Sequence, residues 1–118
     1  MISLYLALLT FHWVADFILQ THWQASNKSK DNDALFRHVA VYTVTMWVGS
    51  MVIFGPIPAT LLFAGLNGSL HYATDYVTSR FTSRLYAESR IHDFFVIVGL
   101  DQLIHQITLA ATMVWLLT

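Results

Sequence analysis

Four apolar stretches, each about as long as a membrane is thick, constrain the fold of this chain more than any other feature. They run over residues 2–20, 35–54, 59–79 and 94–117. A helix needs roughly 20 residues, at about 1.5 Å each, to cross the hydrocarbon core of a bilayer. Apolar runs of this length are uncommon in soluble helices. They predict an all-α fold, an integral membrane four-helix bundle that forms a single transmembrane domain over residues 1–118.

The composition fits a chain that is solvated by lipid. Of the 118 residues, 56% are hydrophobic and 11% are charged, whereas an average soluble domain carries about 25% charged residues. The first apolar run has no basic segment before it and no small-residue cleavage site after it, which indicates a retained membrane segment rather than a signal peptide. There is no cysteine, so a disulfide framework and a thiolate metal site are excluded.

The positions of the basic residues predict an orientation. All six lie in or beside the two polar connections near residues 21–34 and 80–93; they are Lys28, Lys30, Arg37, Arg80, Arg84 and Arg90. The third connection, FGPIP, is uncharged, and its prolines and glycine predict a tight turn. The positive-inside rule places the polar connections in the cytoplasm. We therefore expect a multi-pass protein of the cytoplasmic (inner) membrane, with both termini on the non-cytoplasmic side.

Histidine and aspartate recur four residues apart inside the apolar runs. The pairs are His12 with Asp16, His71 with Asp75, and Asp101 with His105. Residues at this spacing share one face of a helix. Counted from the cytoplasmic end of each run, the pairs and His38 fall within a layer about 12 Å thick. We expect these seven side chains to face the bundle interior and to converge. The matching motifs FHWVADF and LHYATDY also suggest two parallel helical-hairpin repeats.

Nitrogen and oxygen ligands of this kind suit a divalent metal ion such as zinc, manganese or iron. A tetrahedral zinc ion needs three or four ligands, so the set has room for one ion or two. A hydrogen-bonded network is the alternative, but each such bond contributes only about 0.6 kcal/mol. Insertion of a central charge costs about 2.5–3.5 kcal/mol, and neighbouring carboxylates repel one another. These magnitudes favour a bound cation, while a proton or ion pathway stays open.

Each of these residues receives a predicted role. The predicted metal ligands are Asp16, His71, Asp75 and Asp101. The candidate catalytic residues, as further ligands or proton shuttles, are His12, His38 and His105. The candidate substrate-binding residues near the cytoplasmic mouth are Gln20, Lys28, Arg37 and Arg80. A role of the basic residues in topology alone is equally open.

The ordered motifs resemble those of a known family. HWVADFILQTHWQASNK, HVAVYT, HYATDYVTSR and DQLIHQ are similar, over nearly the whole chain, to an uncharacterised family of small four-helix membrane proteins of bacteria and phages, catalogued as a domain of unknown function. The family pattern is HxxADFxLQ with a downstream lysine, a lone histidine opening the second helix, HxxxD with a following basic residue, and DQxxH. The resemblance marks His12, Asp16, Gln20, Lys28, His38, His71, Asp75, Asp101, Gln102 and His105. The usual lysine after the third motif is replaced by Thr78 and Arg80.

The same family is distantly similar to small membrane proteins described as metal-dependent hydrolases, which share histidine and aspartate clusters within the membrane. The resemblance therefore implies a membrane-embedded, metal-dependent hydrolase whose site opens to the cytoplasmic side. We expect it to act on a phosphoester or a lipid headgroup, within the lipid bilayer and without a nucleic-acid partner. Transport of a metal ion or proton by a homo-oligomer is one alternative. A non-enzymatic membrane scaffold is the other.

Overall fold

The computed structural model describes all 118 residues and contains five α-helices and no β-strand. The helices are α1 (Ile2–Trp13), α2 (His22–Asn27), α3 (Asn32–Phe54), α4 (Pro58–Ala87) and α5 (Ile91–Leu117). A π-helical turn over Val14–Ile18 continues α1, and the backbone N–H of Leu19 donates to the carbonyl of Val14 at 2.9 Å. The prediction of an all-α fold is confirmed.

The helix ends have identifiable chemical causes. Gly55 ends α3 with φ of 88°, a conformation that favours glycine. Pro58 then opens α4, where its missing N–H costs nothing. Asp31 caps α3 by accepting a hydrogen bond from the backbone N–H of Asp33 at 2.9 Å, which satisfies an otherwise unpaired donor. The FGPIP segment is therefore the predicted tight turn between two long helices.

Besides shifts of three residues at the starts of α3 and α5, the observed helices depart from the prediction in three places. The α-helical part of the first run ends at Trp13 instead of residue 20, because the π-helical turn takes over. The third run continues as helix to Ala87 instead of residue 79, since RFTSRLYA contains no glycine or proline to stop it. The short helix α2 was not predicted. Its signal was present in the sequence, because Thr21 and Gln24 form a reciprocal capping box.

The four long helices form an antiparallel bundle in which α1 and α4 lie diagonally opposite each other. Helix α1 packs against α3 and α5, and α4 packs against the same two helices. The chain reverses in the segment that contains α2, again after α3, and again after α4. As a result, α1 and α4 run in the same direction. The two HxxxD motifs, which begin at His12 and His71, therefore lie at diagonally opposite corners and at the same end of the bundle.

The interior of the bundle contains many polar side chains, and its surface contains many large apolar ones. Only 27 of the 118 residues are buried, and polar side chains are about as numerous among them as apolar ones. Large apolar side chains are exposed on every long helix, as at Val52 (72%), Phe95 (64%) and Ile107 (58%). Exposed apolar surface of this extent marks contact with another apolar phase or partner.

One helix, α5, is both long enough and apolar enough to cross a membrane by length and composition alone. The segment Ile2–Ile18 is apolar but shorter. Helices α3 and α4 contain 23 and 30 residues, but their polar side chains lower their mean hydropathy. By this criterion the structure supplies one candidate span, whereas the apolar runs of the sequence predicted four.

Candidate metal centre

The seven histidines and aspartates singled out from the sequence meet in one layer of the bundle, at the end nearest the polar connections. The segment of α1 and its π-helical turn supplies His12 and Asp16, α3 supplies His38, α4 supplies His71 and Asp75, and α5 supplies Asp101 and His105. Six of them are buried. The side chain of Asp101 is 15% exposed and forms the edge of the layer.

Four of these side chains converge on one point, and we call them the four-ligand cluster: Asp16, His38, His71 and Asp75. Nε2 of His38 lies 3.1 Å from Oδ1 of Asp16, 3.1 Å from Nε2 of His71 and 3.4 Å from Oδ2 of Asp75. Nε2 of His71 lies 3.2 Å and 3.4 Å from the same two oxygens. A tetrahedral zinc ion with bonds of about 2.0–2.1 Å separates its ligand atoms by about 3.3–3.4 Å. These five distances are therefore close to those within a tetrahedral ligand set.

The contact between the two imidazoles is chemically demanding. At 3.1 Å, two lone pairs or two N–H groups repel each other, so a proton or a cation must lie between the nitrogens. Nδ1 of His38 and Nδ1 of His71 are buried without a hydrogen-bond partner. Metal-bound histidines usually donate from this second nitrogen. Because either tautomer leaves Nδ1 unpaired here, this feature favours neither a metal ion nor a hydrogen-bonded network.

A second group shares Asp16 with the first, and we call it the three-ligand cluster: Asp16, Asp101 and His105. Ligand atoms of these residues lie within 4.8 Å of one another. Nε2 of His105 is 3.3 Å from Oδ2 of Asp101 and 3.0 Å from Oδ1 of Asp75. Nε2 of Gln102 donates to Oδ2 of Asp16 at 3.0 Å and to Oδ2 of Asp101 at 3.2 Å. The amide of Gln102 thus lies between two carboxylates.

His12 belongs to neither cluster and contacts residues around them. Its Nδ1 lies 3.1 Å from the hydroxyl of Tyr42, and its Nε2 lies 3.3 Å from Oε1 of Gln102. The distance from Nε2 to Oδ2 of Asp16 is 3.7 Å. Both ring nitrogens are therefore engaged, and His12 is placed to orient Gln102 and Asp16.

Two further side chains support the layer, and the sequence analysis assigned neither of them a role in the site. The ring of Tyr42 stacks on His71 with centroids 3.9 Å apart, and the hydroxyl of Thr78 donates to Oδ1 of Asp101. Each follows a predicted residue at helical spacing, four after His38 and three after Asp75. Their position on the same helix faces was the signal that could have found them.

A cavity of about 270 Å³ lies beside the layer. Its polar lining residues are Asp16, Gln20, Lys28, Thr78, Ser79, Thr82, Asp101 and Gln102. Oε1 of Gln20 and Oγ of Ser79 are buried without a hydrogen-bond partner, and Ser79 is only 7% exposed. A buried polar group left unpaired costs about 1–3 kcal/mol. Two residues that line the cavity, Gln20 and Ser79, thus each have one polar atom without a partner.

Lys28 reaches from the segment after α2 to the four-ligand cluster. Its Nζ lies 2.9 Å from Oδ2 of Asp75, and its side chain is 19% exposed. Burial lowers the pKa of Lys28, but the adjacent Asp75 carboxylate outweighs this effect and holds the pKa above its ordinary value. Three carboxylates in the layer and one ammonium group leave two uncompensated negative charges when the histidines are neutral. One divalent ion would balance them, and so would two protonated histidines.

The structure does not bring Arg37 and Arg80 to the cavity. Nε of Arg37 donates to Oδ2 of Asp33 at 2.9 Å, and both side chains are more than half exposed. Arg80 donates to Oδ1 of Asn32 at 3.1 Å. Neither arginine lines the cavity, whereas the other two predicted substrate-binding residues do. The structure thus separates Gln20 and Lys28 from Arg37 and Arg80, which the sequence analysis had grouped as one substrate-binding set.

Comparison with known proteins gives a family and no activity. No curated protein and no solved structure matches the chain. The profile of the family described as "Protein of unknown function (DUF3307)" matches residues 4–118. That range includes every motif on which the resemblance to an uncharacterised family rested. The chain therefore belongs to the DUF3307 family of proteins of unknown function.

Proposed function

We propose that this protein is a multi-pass membrane hydrolase that uses a divalent metal ion to cleave a phosphoester, including that of a lipid headgroup, at the cytoplasmic face. The observation that carries the proposal is the four-ligand cluster. Two imidazole nitrogens and two carboxylate oxygens from three segments of the bundle approach to 3.1–3.4 Å. Bringing such groups together away from water is costly unless a cation balances them.

Multi-pass insertion is supported by the large apolar side chains that are exposed on every long helix. In the most apolar part of α5 only 11% of the residues are buried within the protein, whereas the core helix of a soluble protein is mostly buried. The longest dimension of the bundle is 45 Å, which exceeds a hydrocarbon core of about 30 Å. We interpret α1 with its π-helical turn, α3, most of α4, and α5 as four spans. The polar side chains that lower the hydropathy of α3 and α4 then lie inside the bundle.

The positions of the basic residues in the bundle support the proposed orientation in the membrane. All six basic residues lie at or near the end that carries α2 and the connection between α4 and α5. The positive-inside rule assigns this end to the cytoplasm. The cavity lies at this end, because Lys28 and Ser79 belong to its lining. A substrate would therefore enter from the cytoplasm or from the inner leaflet.

The proposed chemistry is phosphoester hydrolysis. A divalent ion held by the histidines and aspartates of the layer would supply a Lewis acid and would lower the pKa of a water molecule. The water oxygen forms a bond to phosphorus, the P–O bond to the alcohol breaks, and the leaving alcohol takes up a proton. The proton that the water loses balances the one that the alcohol takes up. Lys28 is placed to contact the anionic phosphate.

The other half of the bundle argues against transport. An apolar cluster that includes Leu8, Met46, Phe63, Leu109 and Met113 lies between the polar layer and the opposite end. The buried polar side chains of this half are uncharged and paired locally: Asn67 donates to Thr112 at 2.8 Å, and Ser50 and Thr60 donate to backbone carbonyls three residues before them. No polar path continues beyond the layer, so a site that opens on one side fits hydrolysis better than passage through the membrane.

A hydrolysis assay tests the proposal. Detergent-purified protein, supplied with Mn²⁺ or Zn²⁺, is expected to release p-nitrophenol from p-nitrophenyl phosphate and to lose this activity with EDTA or with Asp75→Asn. Asp93→Asn is the matched control, because Asp93 pairs with Arg90 on the surface. Metal-dependent ion flux into proteoliposomes without hydrolysis would favour a transporter. Folded protein without bound metal, hydrolysis or flux would favour a scaffold.

The absence of cysteine makes the topology testable with single introduced thiols. Ser83→Cys places a thiol near the C-terminal end of α4, beside the connection to α5. Thr118→Cys places one at the C-terminal end of α5. In oriented membrane vesicles, a membrane-impermeant maleimide is expected to modify the two positions from opposite sides. Modification of both from the same side, or release of the protein by alkaline carbonate, would contradict the four-span arrangement.

A further inference from the structure

We infer that the three-ligand cluster is a second metal position, which faces the cavity and shares Asp16 with the first as a bridging ligand. The inference rests on the proposed function in one respect, because it takes the four-ligand cluster as the first metal position. It adds the number of ions, the ligand that joins them, and the position that meets the substrate.

The two oxygens of Asp16 face different clusters. Oδ1 lies 3.1 Å from Nε2 of His38 and 3.2 Å from Nε2 of His71. Oδ2 lies 3.0 Å from Nε2 of Gln102, on the side of Asp101. Paired metal ions in hydrolytic sites lie about 3.5–4 Å apart, a separation that one carboxylate can bridge. Asp75 is divided in the same way, since its Oδ2 belongs to the four-ligand cluster and its Oδ1 lies 3.0 Å from Nε2 of His105.

The amide of Gln102 lies where it can stabilise the second position. It contacts a carboxylate oxygen of Asp16 and one of Asp101 at 3.0 Å and 3.2 Å. These hydrogen bonds hold the two carboxylates in place. Nε2 of His12 lies 3.3 Å from Oε1 of Gln102 and orients the amide in turn. Gln102 and His12 are therefore positioning residues for the second ion.

Coordination number separates the two positions. The four-ligand cluster supplies four protein ligands, and His38 and His71 are at most 1% exposed. Structural zinc sites are filled by four protein ligands in this way, whereas catalytic sites have three and keep one position open. The three-ligand cluster has three, and two of them, Asp16 and Asp101, line the cavity. The second position is therefore the one that substrate and water can reach.

The charge balance indicates the class of substrate. Three carboxylates and Lys28 leave two negative charges in the layer, which one divalent ion neutralises. A second divalent ion gives the site a net charge of two positive beside the cavity. A dianionic phosphate, the form of a phosphomonoester near neutral pH, complements that charge. The two-ion site is therefore expected to prefer phosphomonoesters over diesters.

A manganese titration of the full-length, detergent-purified chain tests the inference. By electron paramagnetic resonance, we expect two Mn²⁺ ions per chain with an exchange-coupled spectrum. Asp101→Asn is expected to bind one ion with an uncoupled spectrum, and Asp93→Asn, the surface control on the same helix, to bind two. Thr78→Val, which removes the hydroxyl that donates to Asp101, is expected to weaken the second ion about 10-fold and leave the first unchanged. Inorganic phosphate is expected to change the spectrum of the two-ion protein alone.

The outcomes separate this inference from the proposed function. One ion in the wild type, with the same affinity in Asp101→Asn and Thr78→Val, would overturn the second position and leave a single-metal hydrolase intact. Two ions that stay uncoupled would overturn the bridging role of Asp16. No bound manganese in a folded wild-type protein would overturn both the inference and the proposed function.

Discussion

The two ends of the bundle are built from the same four long helices and are held together by different means. Toward the FGPIP turn, side chains such as Met46, Phe63 and Leu109 form a continuous apolar cluster. Toward the polar connections, the same helices present buried histidines and aspartates. Tyr42 belongs to both regions, since it is buried in the apolar cluster and its hydroxyl contacts His12. The apolar half stabilises the packing of the helices. The polar half destabilises the fold, because burying charged groups costs free energy.

This difference indicates which half carries the function. Replacing buried charges by apolar side chains of similar size is often neutral or stabilising. A layer with three carboxylates and four histidines therefore has a purpose other than stability. We therefore expect substitutions in the apolar half to change stability and leave metal binding intact, and substitutions in the polar half to weaken metal binding.

The largest expected effect follows from Asp75→Asn, which removes the carboxylate that contacts Lys28, His38, His71 and His105. Breaking a buried charge network by deleting one partner costs about 3–5 kcal/mol. We expect at least a roughly 100-fold loss of metal affinity, measured by isothermal titration with Mn²⁺. Unchanged affinity would show that Asp75 is not a metal ligand.

The next effect belongs to the apolar half. Met46 is fully buried, and Met46→Ala is expected to lower the free energy of unfolding by about 2–3 kcal/mol. Metal stoichiometry should stay at the wild-type value. Denaturation in detergent micelles and metal analysis of the same preparation provide the two measurements. A parallel loss of metal would mean that the halves are not independent.

A smaller effect is expected where the halves meet. A Cβ atom at Gly68 would collide with Oγ1 of Thr43, whereas one at Gly65 would meet no atom within 4 Å. Gly68→Ala is therefore expected to destabilise the α3–α4 contact by about 1–2 kcal/mol, and Gly65→Ala serves as the matched control. Adding Thr43→Ala to Gly68→Ala should restore stability. Equal destabilisation by the two alanine variants would contradict the close approach of α3 and α4 at this point.

The smallest effect separates cavity residues from surface residues. Lys28→Met is expected to raise KM for p-nitrophenyl phosphate about tenfold, or about 1.4 kcal/mol, because Lys28 lines the cavity. Arg80→Met should change KM less than about twofold, since Arg80 pairs with Asn32 outside it. Steady-state kinetics at saturating metal measures both. A larger effect of Arg80→Met on KM would indicate that Arg80 binds the substrate, as the sequence predicted.

Local sequence signals predicted the long helices, the turn at FGPIP and the layer of histidines and aspartates. Apolar length, helix-breaking residues and i, i+4 spacing are properties of short segments, so they are visible without a structure. The sharing of Asp16 by two clusters was not predictable, because it depends on how a π-helical turn meets α3, α4 and α5. The contact of Lys28 with Asp75 spans 47 positions and depends on the position of α2. For the same reason the sequence did not separate Lys28 from Arg37 and Arg80.

The central claim is that a cation holds the polar half together, and metal content combined with X-ray absorption tests it most directly. Protein purified in detergent without chelator is expected to carry at least one divalent ion per chain. Its spectrum should show nitrogen and oxygen ligands, including two imidazoles, at about 2.0–2.1 Å if the ion is zinc. Asp75→Asn should remove the ion. A folded, monodisperse protein that holds no stoichiometric metal, and whose melting temperature does not change with added divalent ions or EDTA, would contradict the claim.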